Sequence, residues 1–305
     1  MKLGLLTAAF PGLTLDEIAD WAAANGFQTL EVACWPAGEG AARRYAGVCH
    51  IDVDALDDDG ARVIVDGLAQ RGLSISALAY YPNPLDPDAE AAEAAREHLR
   101  KVVVAARRLG VGVVGTFVGR DRARSVQDNL AAFADVWPGL VRHAAEHDVR
   151  IAIENCPMIF SDDEWPGGTN LAFAPAVWRE MFRIVPDENF GLNFDPSHLV
   201  WQFIDCDRAI REFGDRIFHT HGKDLEVRPE GLYDWGVLSA GIGWQVPRLC
   251  GLGQVDWGRF FGALYAVGYD GVVSIEHEDR AFEGDVDLVK RGFLIARNTL
   301  APYVE

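Results

Sequence analysis

The chain has 305 residues, 49% of them hydrophobic, which is enough for one α/β barrel of about 250 residues plus insertions or for two ordinary domains. Its formal net charge of −18 would repel phosphate backbones and anionic lipid surfaces, so the composition argues against nucleic-acid and membrane binding. Five cysteines without a CxxC pair, and no apolar run near the ~18 residues of a membrane span, predict a cytoplasmic protein without disulfides.

Short apolar segments alternate with helical patterns along the whole chain. The first helix is predicted to begin at the capping box of Thr14 and Glu17 and to stop at Asn25-Gly26. The predicted strands are residues 2–7, 29–34, 73–79, 111–118, 150–154, 190–194, 216–221 and 271–276. The later helices are predicted at residues 54–70, 86–109, 125–147, 175–184, 205–213, 256–267 and 285–300.

Strict alternation of strands and helices predicts a parallel sheet, because parallel strands need a crossover between them. Eight such units favour a closed (β/α)8 TIM barrel over an open sheet, and we expect residues 1–305 to form a single domain. Residues 225–254, after the seventh strand, are too long for a plain connection. They are rich in Gly and contain Trp235 and Trp244, so we interpret them as an insertion or lid.

Ionisable side chains stand at the ends of four consecutive predicted strands, where the active site of such a barrel forms. They are Glu154, Asp195, His221 and Glu276. A carboxylate after a strand often only caps the next helix. Four equivalent positions on neighbouring strands favour a metal site instead. One imidazole and three carboxylates suit Mn²⁺, Mg²⁺, Co²⁺ or Zn²⁺.

The remaining histidines are assigned by position. His219 has the same strand parity as His221 but lies one layer deeper, so a core role and a functional role stay open. His198 follows Asp195 closely and is predicted to contact substrate. The helical histidines are predicted to be surface residues: His98, His143 and His147. Cys156 is interpreted as a packing residue.

The four strand ends together resemble the xylose isomerase-like superfamily, and more narrowly the sugar phosphate isomerases/epimerases. The motifs are Ile153-Glu154-Asn155, Asp195-Pro196-Ser197-His198, the run from His219 to Asp224, and Gly268-Tyr269-Asp270-Gly271 leading to Ser274-Ile275-Glu276. The resemblance implies one divalent metal, Mn²⁺ first and Co²⁺, Mg²⁺ or Zn²⁺ as alternatives. It implies Glu154, Asp195, His221 and Glu276 as ligands, and Glu154 and Glu276 as an acid/base pair on opposite faces of the substrate.

That division of roles is chemically reasonable. Removing a proton next to a carbonyl creates an enediolate, whose charge a divalent cation stabilises while a carboxylate takes the proton. Two carboxylates on opposite faces allow inversion of the carbon. Lys223 is predicted to be catalytic by steadying the oxyanion, with pairing to Asp224 in support of His221 as the alternative.

The chain departs from small ketohexose epimerases at Lys223-Asp224, in the long insertion, and in the charges of residues 277–280. These departures point towards larger members of the superfamily, some of which act on oxidised sugars or glycosides. Aromatic, imidazole and guanidinium groups near the strand ends are predicted to bind substrate: His198, His50, Trp35, Tyr81, Trp244 and Arg280. Phe117 and Trp235 are further aromatic candidates.

We therefore predict a metal-dependent isomerase or epimerase of a keto-sugar or cyclitol, assembled as a homo-oligomer. The alternative is a carbon–oxygen or carbon–carbon lyase that cleaves a 3-keto-glycoside through the same proton abstraction, with a partner subunit. A DNA-repair endonuclease on this fold would need more histidines and a basic surface. A non-catalytic sugar-binding barrel would bind no metal.

Overall fold

A closed barrel of parallel strands organises the computed structural model, which describes residues 1–36, 45–158, 168–237 and 243–304. Within these residues, eight strands pair around the barrel in chain order and the eighth closes onto the first, which confirms the predicted (β/α)8 fold. The barrel strands are β1 (Lys2–Leu6), β2 (Thr29–Ala33), β3 (Ser74–Ala79), β4 (Val113–Thr116), β5 (Arg150–Glu154), β6 (Phe190–Phe194), β7 (Ile217–Gly222) and β10 (Val272–Ile275).

Most of the helices surround this barrel and bury one face against it, whereas α8, in the segment after β7, has no buried residue. Two of them begin a few residues later than predicted, because Asp57 and Asp88 cap them by accepting hydrogen bonds from backbone N–H groups of the first turn. The helices are α1 (Leu15–Ala24), α2 (Asp58–Gln70), α3 (Ala89–Leu109), α4 (Val126–Glu146), α5 (Pro175–Ile184), α6 (Ser197–Val200), α7 (Cys206–Phe213), α8 (Pro229–Trp235), α9 (Trp257–Ala266) and α10 (Val286–Leu300).

His98 on α3 is a buried residue, so its prediction as a surface residue is wrong. Its Nε2 lies 2.7 Å from the carbonyl oxygen of Cys34, and its ring packs edge-on against Tyr80. His143 on α4 and His147, which caps the end of that helix, are half-buried. None of the helices in the described ranges is long and apolar enough to cross a bilayer.

The segment after β7 folds into a small antiparallel hairpin above the barrel. Its strands are β8 (Asp224–Val227) and β9 (Gln245–Arg248), with α8 between them. Residues 238–242 of the predicted insertion lie outside the described residues. Trp244 is buried against Trp201 and Leu225, so this hairpin has an apolar cluster of its own.

Asp224 fixes the base of this hairpin. Its Oδ1 accepts hydrogen bonds from the backbone N–H groups of Leu225 and Val255, both at 2.8 Å. Its Oδ2 accepts from Gly251 N at 2.9 Å and from Trp257 Nε1 at 3.1 Å. One buried carboxylate therefore ties both ends of the insertion to the end of β7.

We expect Asp224→Ala to release the hairpin from the barrel. Four donors would lose their acceptor, and each unsatisfied buried donor costs about 1–3 kcal/mol. Hydrogen exchange measured by mass spectrometry should speed up in peptides covering residues 224–255 and stay slow in the barrel strands. Trp257→Phe, which removes one of the four hydrogen bonds, is the matched control. Unchanged exchange in the hairpin of Asp224→Ala would contradict the anchoring role.

Candidate metal centre

Four side chains converge at the carboxyl ends of adjacent barrel strands. Glu154 ends β5, Asp195 follows β6, His221 lies in β7, and Glu276 follows β10. One ligand atom from each lies within 4.8 Å of the ligand atoms of the other three, and all four residues are buried. The structure thus brings together the four residues that the sequence predicts as metal ligands.

Asp195 is held by the turn that follows β6. The Asn155 side chain accepts a hydrogen bond from Asp195 N at 2.7 Å and donates one to Asp195 O at 2.9 Å, which joins the ends of β5 and β6. Ser197 N donates to Asp195 Oδ1 at 2.8 Å. Because Oδ1 is occupied by this backbone group, the second oxygen, Oδ2, remains for the centre.

His221 is oriented by contacts on one side of its ring. Its Nε2 lies 3.0 Å from Glu31 Oε2, on β2. Its Nδ1 lies 3.5 Å from Glu154 Oε1 and 3.3 Å from Glu276 Oε2. The ring therefore presents Nδ1 to the candidate ligand carboxylates, and His219 lies one layer deeper in the barrel, against Asn193 and Ser76.

Several atoms of this cluster are buried without a hydrogen bond among the described residues: Glu154 Oε1, Asp195 Oδ2, His198 Nε2 and His221 Nδ1. They lie 3.2–3.5 Å from one another in the pairs His198–Asp195, His198–Glu154 and His221–Glu154. Buried polar atoms are rarely left unsatisfied. These atoms lie close together but are not aligned for hydrogen bonds with one another. A cation bound between them would satisfy them, so the residues fit a divalent metal.

Lys223 contacts three of the four candidate ligands. Its Nζ donates to Glu276 Oε2 at 2.6 Å and lies 3.0 Å from Asp195 Oδ2. It also lies 3.1 Å from Glu278 Oε2 and 3.8 Å from Glu154 Oε1. The side chain is buried. The centre therefore contains a protein cation beside its carboxylates.

The predicted alternative of a Lys223–Asp224 pair is wrong. The Asp224 carboxylate accepts hydrogen bonds only from the base of the hairpin among the described residues. The two side chains point to opposite sides of the chain because neighbouring residues in an extended segment alternate in direction.

Opposite charges shift the pKa values of this cluster. Burial alone would raise the pKa of Glu154 and of Asp195, but His221 lowers the first and Lys223 lowers the second, so both carboxyl groups are ionised. Burial alone would lower the pKa of His221 and of Lys223, but the surrounding carboxylates raise both well above their usual values. The centre is a dense set of buried groups of opposite charge.

Comparison with known proteins identifies the family. A model described as the xylose isomerase-like TIM barrel matches residues 19–298. The chain belongs to the xylose isomerase-like TIM-barrel family. The resemblance predicted from the strand-end motifs is confirmed.

Relatives of this xylose isomerase-like barrel were found by sequence and by structure. The uncharacterized protein YfiH of Bacillus subtilis (strain 168) is 27% identical over 302 residues, covering 92% of this chain and 93% of YfiH. D-psicose 3-epimerase from Clostridium cellulolyticum H10, solved with D-tagatose, shares 15% identity at a TM-score of 0.71 over 100% of both chains. IolI protein with a bound zinc atom shares 18% identity at a TM-score of 0.71, over 100% of this chain and 98% of IolI. At these identities the structural similarity shows the fold.

The centre of this xylose isomerase-like barrel opens into a cavity of about 600 Å³. Glu154, His198, Lys223 and Glu276 line its charged part. Aromatic side chains form much of the wall, and arginines from the segment after β7 and from the segment after β10 add positive charge to it. These are Trp35, Tyr45, Tyr81, Phe117 and Trp201, with Arg228, Arg248 and Arg280.

The substrate-binding residues predicted from the sequence divide into two groups. The structure places His198, Trp35, Tyr81 and Arg280 on the cavity wall. It does not bring His50 there: the ring nitrogens lie 2.9 Å from Thr7 Oγ1 and 3.2 Å from Phe10 O, so His50 holds the loop after β1.

Two aromatic candidates from the insertion are also absent from the cavity wall. Trp244 is buried in the hairpin cluster, so its ring packs rather than faces the cavity. Trp235 is 67% exposed on α8. The interpretation of these rings as sugar platforms does not agree with their positions.

Sequence reasoning missed Glu31, and it interpreted Cys156 as a packing residue, which its contact with the hydrophobic core supports. Glu31 is fully buried, and His221, His219 and Tyr81 lower its pKa to about 2 although burial alone would raise it. An acidic residue inside the apolar strand Thr29–Ala33 was the available signal. Cys156 lies within ligand distance of Glu154 and His198, although burial raises the pKa of its thiol.

Proposed function

We propose that this protein is a divalent-metal-dependent isomerase or epimerase that acts on a keto-sugar or cyclitol by removing a proton next to a carbonyl. The observation that carries the proposal is the buried cluster of Glu154, Asp195, His221 and Glu276 at the floor of a cavity. This chemistry needs a cation site and more than one carboxylate beside the reacting carbons, and the cluster offers both.

Glu154 and Glu276 are suited to the acid/base pair. They reach the centre from β5 and from the end of β10, and strands β6 and β7 lie between them in the barrel. Both line the cavity, so both are accessible to a ligand. A carboxylate on each side of a bound sugar allows one to remove the proton and the other to return a proton from the opposite face.

Asp195 and His221 would complete the metal-binding set with the two glutamates. A divalent cation bound there would stabilise the negative charge that develops on the substrate oxygens. The nitrogen and oxygen donors suit Mn²⁺ first, with Co²⁺, Mg²⁺ or Zn²⁺ as alternatives. IolI, which shares this fold, was solved with a bound zinc atom, and this supports a divalent metal in the present protein.

In this proposal Lys223 and His198, which lie next to Glu276 and Glu154, have different roles. Lys223 donates a hydrogen bond to Glu276 and fixes the position of its carboxylate beside the substrate. His198 lies 3.4 Å from Glu154 Oε1 and lines the cavity, so it orients Glu154 and contacts a substrate hydroxyl. Tyr81 and Trp35 supply the apolar faces against which a sugar ring packs.

The size of the cavity supports a small substrate. Ligand cavities of about 300–1,000 Å³ hold one small molecule, and about 600 Å³ leaves room for a monosaccharide, a cyclitol or a short glycoside. D-psicose 3-epimerase, solved with D-tagatose, shares this fold, which supports a ketose as the first substrate class to examine.

The function is tested by isotope exchange. We expect the protein loaded with Mn²⁺ or Co²⁺ in D₂O to place deuterium on the carbon next to the carbonyl of one ketose, inosose or 3-keto-glycoside, read by NMR. The same protein treated with a chelator should exchange at least about 100-fold more slowly, because the charge of the intermediate is then unsupported.

The products of that experiment separate the alternatives. An epimer or isomer with all substrate atoms retained supports the proposal. Release of an aglycone from a 3-keto-glycoside would replace it with the lyase. Exchange that is unaffected by the chelator, or no exchange with any of the three compound classes, would refute metal-assisted proton abstraction.

A further inference from the structure

A fourth carboxylate lies beneath the candidate ligands and belongs to none of the roles above. Glu31 is in the middle of β2, between Leu30 and Val32, and its side chain is fully buried. An ionised carboxylate in such a place is costly unless charged or polar groups compensate it. Its partners therefore indicate why the fold keeps it.

Both oxygens of Glu31 are engaged. Tyr81 Oη donates to Oε1 at 2.6 Å, and His221 Nε2 lies 3.0 Å from Oε2. Asn193 Nδ2 at 2.9 Å and Tyr81 Oη at 3.4 Å contact the same Nε2, so this nitrogen faces away from the candidate ligand carboxylates. The nitrogen that remains available as a metal ligand is then Nδ1, which faces Glu154 and Glu276.

The surroundings of Glu31 keep it in this orientation. Asn193 Nδ2 donates to Tyr81 Oη at 2.8 Å, so the tyrosine proton is directed to Glu31. Gly115 on β4 leaves the space that Tyr81 occupies, because a Cβ at this position would collide with Tyr81 Oη. The network thus links β2, β3, β4, β6 and β7 under the metal-binding layer.

We propose that Glu31 is a positioning residue of the metal centre, which fixes the ring orientation of His221 so that Nδ1 faces the metal. The inference rests on the proposed function, because it presupposes that His221 binds a metal. Carboxylates that hold a metal-binding histidine in this way affect metal affinity by about 10- to 100-fold.

The closing experiment compares two variants of the same network. Zn²⁺ affinity is measured by competition with a chromophoric chelator for the wild type, Glu31→Gln and Ser76→Ala. Ser76 contacts His219 Nε2 at 3.1 Å and does not touch His221, so it is the matched control. We expect Glu31→Gln to weaken Zn²⁺ binding by about 10- to 100-fold. Ser76→Ala should change it less than about threefold, since the contacts of His221 stay intact.

A second measurement needs no variant. In the Zn²⁺-loaded wild type labelled with ¹⁵N-histidine, we expect His221 to show a protected proton on Nε2 and a metal-shifted Nδ1. Equal Zn²⁺ affinity of Glu31→Gln and wild type, or a proton on Nδ1, would overturn the positioning role alone. A wild type that binds no Zn²⁺, Mn²⁺ or Co²⁺ would overturn the proposed metal centre and this inference with it.

Discussion

Replacing Glu276 by Gln is expected to reduce turnover by about 10²- to 10⁴-fold, the usual contribution of a positioned acid or base. Gln keeps the shape of Glu276 and can still accept the hydrogen bond from Lys223 Nζ, but it cannot take a proton from carbon. The fold should be intact because Glu276 lines the cavity rather than the packed core. The measurement is the rate of product formation with the compound identified by exchange, at saturating metal.

Glu154→Gln and Glu278→Gln complete the comparison. Glu154→Gln should cause a loss of similar size, and the two variants should differ in which epimer still exchanges its proton with solvent. Glu278 lies in the same cavity and is 3.1 Å from Lys223 Nζ, but it is outside the ligand group. A loss in Glu278→Gln as large as that in Glu276→Gln would show that charge in the cavity matters rather than proton transfer.

Lys223→Met should tighten metal binding by about 10- to 100-fold while it lowers turnover. The ammonium lies within 4 Å of three candidate ligands and repels any cation that they hold. At an effective dielectric constant of about 20, two unit charges 4 Å apart interact by about 4 kcal/mol, and about 1.4 kcal/mol changes an affinity tenfold. Met retains the length and the apolar stem of the side chain.

Lys223→Arg is the control for this prediction, because it keeps the positive charge. Its metal affinity should stay within about tenfold of the wild type, since the cation–cation repulsion persists. Isothermal titration with Mn²⁺ or Co²⁺ gives the affinity, and the exchange assay gives the rate. Weaker metal binding by Lys223→Met would mean that the lysine supports the ligands more than it competes with the metal.

The fold was predictable because its signals are local and repeated. Eight apolar segments separated by capped helices identify parallel βα units, and Glu154, Asp195, His221 and Glu276 follow from the rule that barrel strands end at the site. The predicted starts of the helices were less accurate than the strands. In the sequence Asp54 and Asp57 are equally good N-cap residues for α2, and only the observed contacts identify Asp57 as the cap.

The direction of side chains outside the strands was not predictable from pattern. His50 and Trp244 are residue types that often bind sugars. His50 instead contacts Thr7 and Phe10, and Trp244 packs against Trp201. Glu31 was missed although it lies within a strand. In a strand buried on both faces, the pattern of apolar residues does not show which side chains point into the barrel and which pack against the helices. Cytoplasmic location, homo-oligomerisation and a single domain of residues 1–305 stay predictions.

The way in which Asp224 holds the hairpin has a consequence for how this protein can diversify. Both ends of the segment between Leu225 and Gly251 are bound to one side chain, which lies two residues after the end of the strand that carries His221. Insertions, deletions or exchanges inside that segment can therefore remodel the cavity mouth without moving the candidate metal centre. Grafting the corresponding segment from a relative that retains the anchoring aspartate is a direct route to chimeric proteins with an altered cavity mouth.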